Sequence, residues 1–533
     1  MASSCTYLPY CETGYFSSLA MDYMQGHQNL AAFYTYSPDK NGIAAAIQDR
    51  NKYPIDRKNL VNTLTAQYAL LDKHPKAEQN LALLLQDTTY TICTAHQPNL
   101  LTGYLYFIYK ILHAIKLSED LQALHPDKNF VPVYYMGSED NDLEELGTFR
   151  YENRKFIWEA DGQKGAVGRM TTESLKPLLD ELFALLGPPG ENCEELKRMI
   201  GAAYMGHTHV GAATQYLVNE LFGRYGLIVL NPDDANFKKC IVPIMQEELL
   251  HQHSYGIVNK QIESLSVHYK AQAHPRPINL FYLDDQIRER IEQHGDVWQV
   301  LNTDIQWTKN ELLAALQSHP ERFSPNVILR GLLQESILPN VVFIGGGAEV
   351  AYWLQLKPLF THYQVFYPSI HLRQSVLWID PREAKLRQQL SCSIAEIFKP
   401  ETELIRAYVL KNSTHDWQTS TEQAEIESIL LRIKQKATVL DPTLKASAEA
   451  ATAKIQHRLQ VMEKKMLRAE KQHMQVHLLK IGKLKGNLFP NNSLQERVEN
   501  FCSYYLQYGP AYLDILKEHM RPLEPAFMVI ENN

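Results

Sequence analysis

Apolar residues follow two rhythms along this 533-residue chain. In the first, short unbroken runs of β-branched, aromatic and aliphatic residues stand at Thr89–Cys93, Phe130–Met136, Gly226–Asn231 and Val341–Ile344. Runs of this length without polar alternation suit strands buried on both faces, as in a parallel sheet. Helical spacing follows the first run (Leu105, Ile108, Leu112, Ile115) and the last (Val350, Leu354, Leu356). Strand, loop, helix, strand predicts an α/β protein, whose ligand loops share the carboxyl edge of the sheet. The polar loops predicted there are His96-Gln97-Pro98-Asn99, the acidic stretch Gly137 to Asp142, Pro232-Asp233-Asp234 and Gly345-Gly346-Gly347. Asp233 and Asp234 read first as caps of the next helix.

The second rhythm begins beyond Asp380-Pro381. One stripe runs through Ile426, Ile429, Ile433, Ala437 and Leu440. Another runs from Leu444 through Ala448, Ala451, Ile455, Leu459, Met462, Met466, Ala469 and His473 to Val476, in steps of four and three with one stutter. Asp441-Pro442 between them reads as a helix start, Asp as N-cap and Pro in first position. Two long helices folded back as an antiparallel coiled coil are expected. The second stripe is longer than a partner helix of about twenty residues can cover, so a homodimer is expected. Lys464, Lys465, Arg468 and Lys471 flank the seam, as a solvated face or as a site for an anionic ligand.

These patterns divide the chain. Residues 1–88 form an amino-terminal helical layer; 89–147, 220–250 and 325–380 form a discontinuous core. Residues 148–219 and 251–324 are insertions, 381–418 a linker, 419–485 the coiled coil, and 486–533 a return onto the core.

Composition narrows the function classes. A hydrophobic share of 45% with 21% charged residues is that of an ordinary globular protein. A net charge of −7 gives no global basis for nucleic-acid binding. No apolar run is long enough to span a bilayer, and the first thirty residues lack the basic start and apolar block of a signal peptide. Seven cysteines, odd in number and without a CxxC pair, read as scattered thiols in a reducing cytoplasm, and their spacing indicates no paired-cysteine zinc site. A mixed site of one cysteine with distant histidines stays open. His207 and His209, two apart, face away from each other on a helix, so a loop or cap is the preferred reading.

Candidate chemistry gathers on the edge loops: His96 and Gln97 on the first, Glu139, Asp140, Asn141 and Asp142 on the second. Gly345, Gly346 and Gly347 between strand and helix let backbone N–H groups converge on an anion at the positive end of a helix dipole. Glu349, in the first helical turn, is a cap or a carboxylate beside a bound anion or amine. Arg330 is a carboxylate or phosphate clamp, with Gln334 on the same helix face. The pattern is neither a P-loop nor a dinucleotide fingerprint.

Three stretches together resemble a known family. TAHQPNLLTGYLYFIYK, VPVYYMGSEDNDLEEL and HPERFSPNVILRGLLQESILPNVVFIGGGAEVAYWLQLK, with GLIVLNPDD and NLFYLDD in order between them, are similar to the BshC family, the cysteine ligases of bacillithiol biosynthesis. The resemblance covers nearly the whole chain. It implies a Rossmann-type core resembling class I aminoacyl-tRNA synthetases, with helical insertions and a long dimerising coiled coil. It also implies the joining of L-cysteine to glucosaminyl-malate to give bacillithiol. By position it carries over His96, Gln97, Thr102 and Gly103, the acidic Glu139, Asp140 and Asp142, and Arg330, Glu349, Tyr352 and Trp353. Asn141 stands where the family often has His, so an imidazole proton carrier is missing there.

Amide formation from a carboxylate needs an activated acyl group, which implies ATP or another nucleotide and leaves room for magnesium. On this reading Gly345–Gly347 hold anionic oxygen, His96 meets transition-state charge, and Arg330 holds a carboxylate. Glu139, Asp142 or Glu349 orients or deprotonates the amine; Gln97, Thr102, Asp140, Asn141, Gln334, Tyr352 and Trp353 complete substrate binding. Two alternatives stand beside it: another acyl or nucleotidyl transferase on the same scaffold, and a coiled-coil scaffold with an inactive core.

Overall fold

The computed structural model describes residues 3–152, 154–413, 415 and 418–532. The chain divides into two compact units: residues 3–378 with 493–530, and residues 379–492 with the last residues of the chain.

The larger unit is built on a five-stranded sheet. Its elements, in chain order, are β1 (Thr89–His96), helix α1 (Leu105–Leu124), β2 (Asn129–Met136), β3 (Ile228–Leu230), β4 (Asn340–Gly345), helix α2 (Gly347–His362) and β5 (Ser369–Leu372). The spatial order is β5-β4-β1-β2-β3, and every pairing is parallel. The apolar runs explain this. β1, β2 and β4 are buried along nearly their whole length, because helices cover both sheet faces. The chain proceeds outward from β1 through β2 to β3, then returns to the other side of β1 as β4. Strand order thus reverses between β1 and β4, the switch point where α/β sheets open a crevice.

The carboxyl ends are in register: His96 pairs with Met136, Ile344 with Thr94, and Gly345 with Leu372. The loop after β1 is a strained turn in which Leu101, Thr102 and Gly103 all have positive φ. At Gly103 a Cβ would meet Asn99 at 2.9 Å, so only glycine fits. Leu101 N donates to the Tyr204 hydroxyl at 2.9 Å, and Asn500 Nδ2 donates to the Leu101 and Gly103 carbonyls. Residues 493–530 belong to this larger unit, whereas 486–492 and the end of the chain group with the smaller one, and Met528 N donates to the Ser375 carbonyl.

The second insertion holds the expected helices and a strand near Asn279–Leu283, within a sheet larger than a helical insertion implies. After the helix His253–Leu265 it forms a five-stranded antiparallel sheet from Leu280–Asp284, Ile287–His294, Val297–Val300, Gln306–Thr308 and Phe323–Pro325. Polar Tyr151 to Ala166 likewise contains half of the hairpin Thr148–Tyr151/Arg154–Ile157. His207 and His209 lie in the turn between helices Glu191–Gly206 and Val210–Phe222.

In the smaller unit, α3 (Ser420–Leu440) and α4 (Leu444–His473) form the antiparallel hairpin. Lys434 pairs with Glu449 at 2.7 Å, and Gln423 donates to Glu463 at 2.8 Å. Asp441-Pro442 is not the helix start: Asp441 closes the turn by accepting from Thr443 N and Oγ1, and α4 begins at Leu444. The stretch expected as a linker holds helices Pro381–Gln389 and Glu401–Asn412. Among the described residues, no helix is long and apolar enough to cross a membrane.

Candidate active site

A cavity of about 530 Å³ opens at the switch point, within the larger unit. Its walls come from four strand ends: His96 and Gln97 after β1, Gly137 and Asp140 after β2, Gly346 to Glu349 after β4, and Arg373 after β5. The helices add Lys110 and Tyr106 from α1, Tyr352 from α2 and Arg330; the antiparallel sheet adds Arg288, and the return segment adds Arg497.

The glycine bend is partly self-satisfied. Glu349 Oε2 accepts from Gly346 N at 2.8 Å and forms an ion pair with buried Lys110. Lys110 Nζ also donates to the Ala95 carbonyl at 3.0 Å. At Gly345 a Cβ would lie 2.7 Å from Glu349 Cβ, which is why glycine stands there. A carboxylate therefore sits where α2's positive end and an ammonium converge, the location an anion would choose.

His96 packs against Tyr106 and Phe107, and its Nε2 is buried without a hydrogen-bond partner among the described residues. Burial, then Lys110 and Arg373, hold its pKa well below the usual value. The ring is neutral, so any hydrogen bond it gives to developing negative charge comes from an imidazole and not an imidazolium.

Asp140 is clamped from two sides. Arg330 Nη1 donates to Oδ2 at 3.0 Å and Nη2 to Oδ1, while Arg288 Nη2 reaches Oδ1 at 3.3 Å. Burial pushes the carboxyl up, but the Arg330 guanidinium more than offsets this and holds it below the usual range. Arg330, expected as a clamp for substrate carboxylate, thus spends both terminal nitrogens on Asp140. Arg288 Nη1 also donates to Asn141 Oδ1 at 3.0 Å. Arg373 is engaged by Glu496, at 2.9 and 2.6 Å. Arg497 is exposed on the cavity wall with no ion-pair partner among the described residues.

Several expected site residues stand outside this wall. Glu139 points away from the cavity, 3% exposed, and pairs with the fully buried Lys238. The loop turns at Ser138 and Glu139, which sends the Glu139 carboxylate toward Lys238 and the Asp140 carboxylate toward Arg330. Asp142 caps the helix Leu143–Leu146, accepting from Glu145 N at 3.2 Å. Thr102 is buried inside the strained turn. Gln334, one helical turn beyond Arg330 and so about 6 Å further along the axis, is buried and donates to Glu335. Trp353 lies in the core against Phe343 and Phe360. Asn141 and Gly345 back the wall without lining it. Asp234 does cap the next helix, whereas Asp233 binds Arg169 through two bonds of 2.7 Å.

Lys110, Arg288, Arg373 and Arg497 were not singled out from the sequence. Lys110 sits in the first, apolar half of its helix, a charged residue among buried neighbours, and that was the available signal.

Residues 3–374 match the family described as the N-terminal Rossmann-like domain of bacillithiol biosynthesis BshC, and residues 376–532 its C-terminal coiled-coil domain. The chain belongs to the BshC family. Relatives named "Putative cysteine ligase BshC" include those of Flavobacterium johnsoniae, 38% identical over 98% of this chain and 99% of the relative, and Christiangramia forsetii, 38% identical over 99% of each. That of Salinibacter ruber is 29% identical over 98% of this chain and 97% of its own. By that shared name, BshC is a family of ligases. A solved structure described as an arginyl-tRNA synthetase from Campylobacter jejuni covers 80% of this chain and 99% of its own at 10% identity, with a TM-score of 0.22. That superposition adds nothing to what the BshC Rossmann-like sheet shows by itself.

Proposed function

We propose that this chain joins L-cysteine to glucosaminyl-malate, forming the amide of bacillithiol in the switch-point cavity, with the cysteine carboxylate first activated by ATP or another nucleotide. The observation that carries the reading is the meeting of an unpartnered neutral His96 with the Gly346–Lys110–Glu349 cluster at the end of α2. Family membership supports these substrates, and the geometry supports the roles that follow.

Lys110 and the Gly346–Gly347 backbone suit a phosphate or another anionic oxygen at α2's positive end. On binding, such an anion takes over the contacts now made by the Glu349 carboxylate, leaving Glu349 to accept a proton from the attacking amine. His96 donates to the acyl oxygen as charge develops there. Arg497 is the cation that can take a substrate carboxylate without displacing a partner, whereas Arg330 and Arg373 would first have to release Asp140 and Glu496. Asp140 and Glu349, the carboxylates nearest the bend, are both paired with cations, so magnesium would come with the nucleotide's phosphates and not from a protein cage. The uncovered coiled-coil stripe, with Ile433 and Met462 each more than half exposed, suits a second copy of the chain as partner.

Purified protein given cysteine, glucosaminyl-malate and ATP is expected to release bacillithiol, read by mass spectrometry. Glu349→Gln and His96→Ala are expected to lose that product. If both keep the native rate, the site assignment is wrong. ATP turnover that responds equally to other amino acids would point instead to a different acyl transferase. Cells lacking the gene are expected to accumulate glucosaminyl-malate; an unchanged thiol profile would favour the inactive scaffold.

A further inference from the structure

Among the described residues, one set of three metal-ligating side chains has its donor atoms mutually within 4.8 Å: Glu247, His253 and His362. None belongs to the cavity wall, and all three are exposed. Glu247 Oε2 and His362 Nε2 are 3.9 Å apart, and the His253 and His362 rings are 5.1 Å apart between centroids. Donors around tetrahedral zinc, with bonds of about 2.0–2.1 Å, stand roughly 3.3–3.5 Å from one another. Small side-chain rotations on an open surface close that difference.

The backbone assembles this set from distant places. Glu247 lies in the last turns of the helix Val242–His251, and Gln252, at φ 55°, breaks the chain so that His253 opens the next helix. His362 is the final residue of α2, more than one hundred residues later. A second feature points to a cation independently. His362 and His251 each end a helix, and His251 stacks on His253 at 5.5 Å. Two helix carboxyl ends thus approach the same spot against one amino end, that of the helix His253–Leu265, so the summed dipoles favour positive charge there.

We propose that Glu247, His253 and His362 bind a zinc-class divalent ion, with water or His251 in the fourth position. Two imidazoles and one carboxylate are the donor set that borderline metals prefer over calcium or magnesium. The ion clips the helical insertion to the far end of α2, the helix whose first turn forms the cavity's glycine bend. The packing it would reinforce already exists, since Gln261 Nε2 donates to the Leu354 carbonyl at 3.3 Å.

The test uses full-length protein without an affinity tag, in a Cys11→Ser, Cys240→Ser background that removes the exposed thiols. Cobalt(II) titration is expected to give visible d–d bands that saturate at one ion per chain and are displaced by zinc. Zinc is expected to raise Tm. In His253→Ala/His362→Ala, both the bands and the Tm rise are expected to vanish, while the protein without metal melts as before. Glu247→Gln is expected to weaken binding at least about ten-fold. Absence of one-to-one binding in the parent, or equal affinity in the double histidine variant, would overturn the site. Ligase activity is not the readout, so this outcome is independent of the proposed reaction.

Discussion

The acidic loop after β2 divides the sheet's carboxyl edge into two regions that handle charge in opposite ways. On one side, Asp140 meets Arg330 and Arg288 at the wall of an open cavity. On the other, one residue earlier, Glu139 meets Lys238 in a sealed pair, beside an Asp233–Arg169 pair that borders a second cavity. The Arg330 side chain is 23% exposed, that of Lys238 not at all. Each region balances its carboxylates with cations. They differ in whether a ligand can compete for those cations. A charge pair on a cavity wall can be exchanged for a substrate; a sealed pair can only hold the loop that presents its neighbour.

The sharpest way to break this comparison is to strip one partner from each side. Lys238→Met leaves Glu139 as a buried uncompensated charge, which costs about 3–5 kcal/mol. Its urea midpoint is expected to drop well below that of any cavity variant. A midpoint equal to wild type would show that Glu139 reaches water or a ligand, and the division of the edge would fail.

Glu349→Gln acts on the open side. The bend keeps an acceptor for Gly346 N and for Lys110 in the glutamine oxygen, but Lys110 loses its counter-charge and the amine its base. A fall in bacillithiol formation of about a hundred-fold is expected, the lower range for removal of a general base, with a drop in the urea midpoint smaller than that of Lys238→Met. Equal losses in activity and stability would mean that Glu349 is only a cap.

Arg330→Lys tests the clamp between the regions. Lysine keeps the charge but not the two-pronged contact with Asp140, and Arg288 remains. Activity is expected to fall about ten-fold. The pH dependence carries a sign. The native Asp140 carboxyl titrates below its unfolded value of roughly 3.9, so its contribution is complete above that value and is lost as pH falls through the lower native one. Weakening the clamp raises the native value, and acid unfolding is expected to begin at higher pH in the variant. Identical acid limbs would show that Arg288 alone holds Asp140.

The open region was more legible in sequence than the sealed one, for physical reasons. Unbroken apolar runs gave β1, β2 and β4, and loops at parallel strand ends must gather on one edge, so His96, Gln97, Asp140, Gly346 and Glu349 could be placed together without coordinates. A turn and a helix cap look alike in composition, so Glu139 and Asp142 were grouped with Asp140 although the turn aims one at Lys238 and the cap holds the other. Gln334 and Trp353 share helices with Arg330 and Glu349, but a helix leaving a cavity takes its later residues into the core. Arg288 was hidden for the opposite reason. It lies in IRERIEQH, a strand too charged to read as one, whose buried arginine stacks over Phe281 and reaches the acidic loop. Lys110, Arg373 and Arg497 come from three chain-distant segments, and nothing local marks their convergence.

Asn141 stands on the boundary itself, between a residue that lines the cavity and one that caps a helix, and it offers the smallest and most discriminating change. Its amide oxygen accepts from Arg288 Nη1, the guanidinium that also holds Asp140. A histidine in its place keeps that bond only while one ring nitrogen is free, and the adjacent guanidinium disfavours a second proton. Asn141→His is therefore expected to leave the urea midpoint within about 0.5 kcal/mol and to change the ligase rate by no more than a few-fold at pH 8. The difference is expected to widen as pH falls through the ordinary histidine range of roughly 6.5, because protonation would cost Arg288 its acceptor. A rate increase of ten-fold or more would mean something else: the loop lacks a proton carrier that the reaction uses, and Asn141 is then a catalytic deficit, not a positioning partner for Arg288.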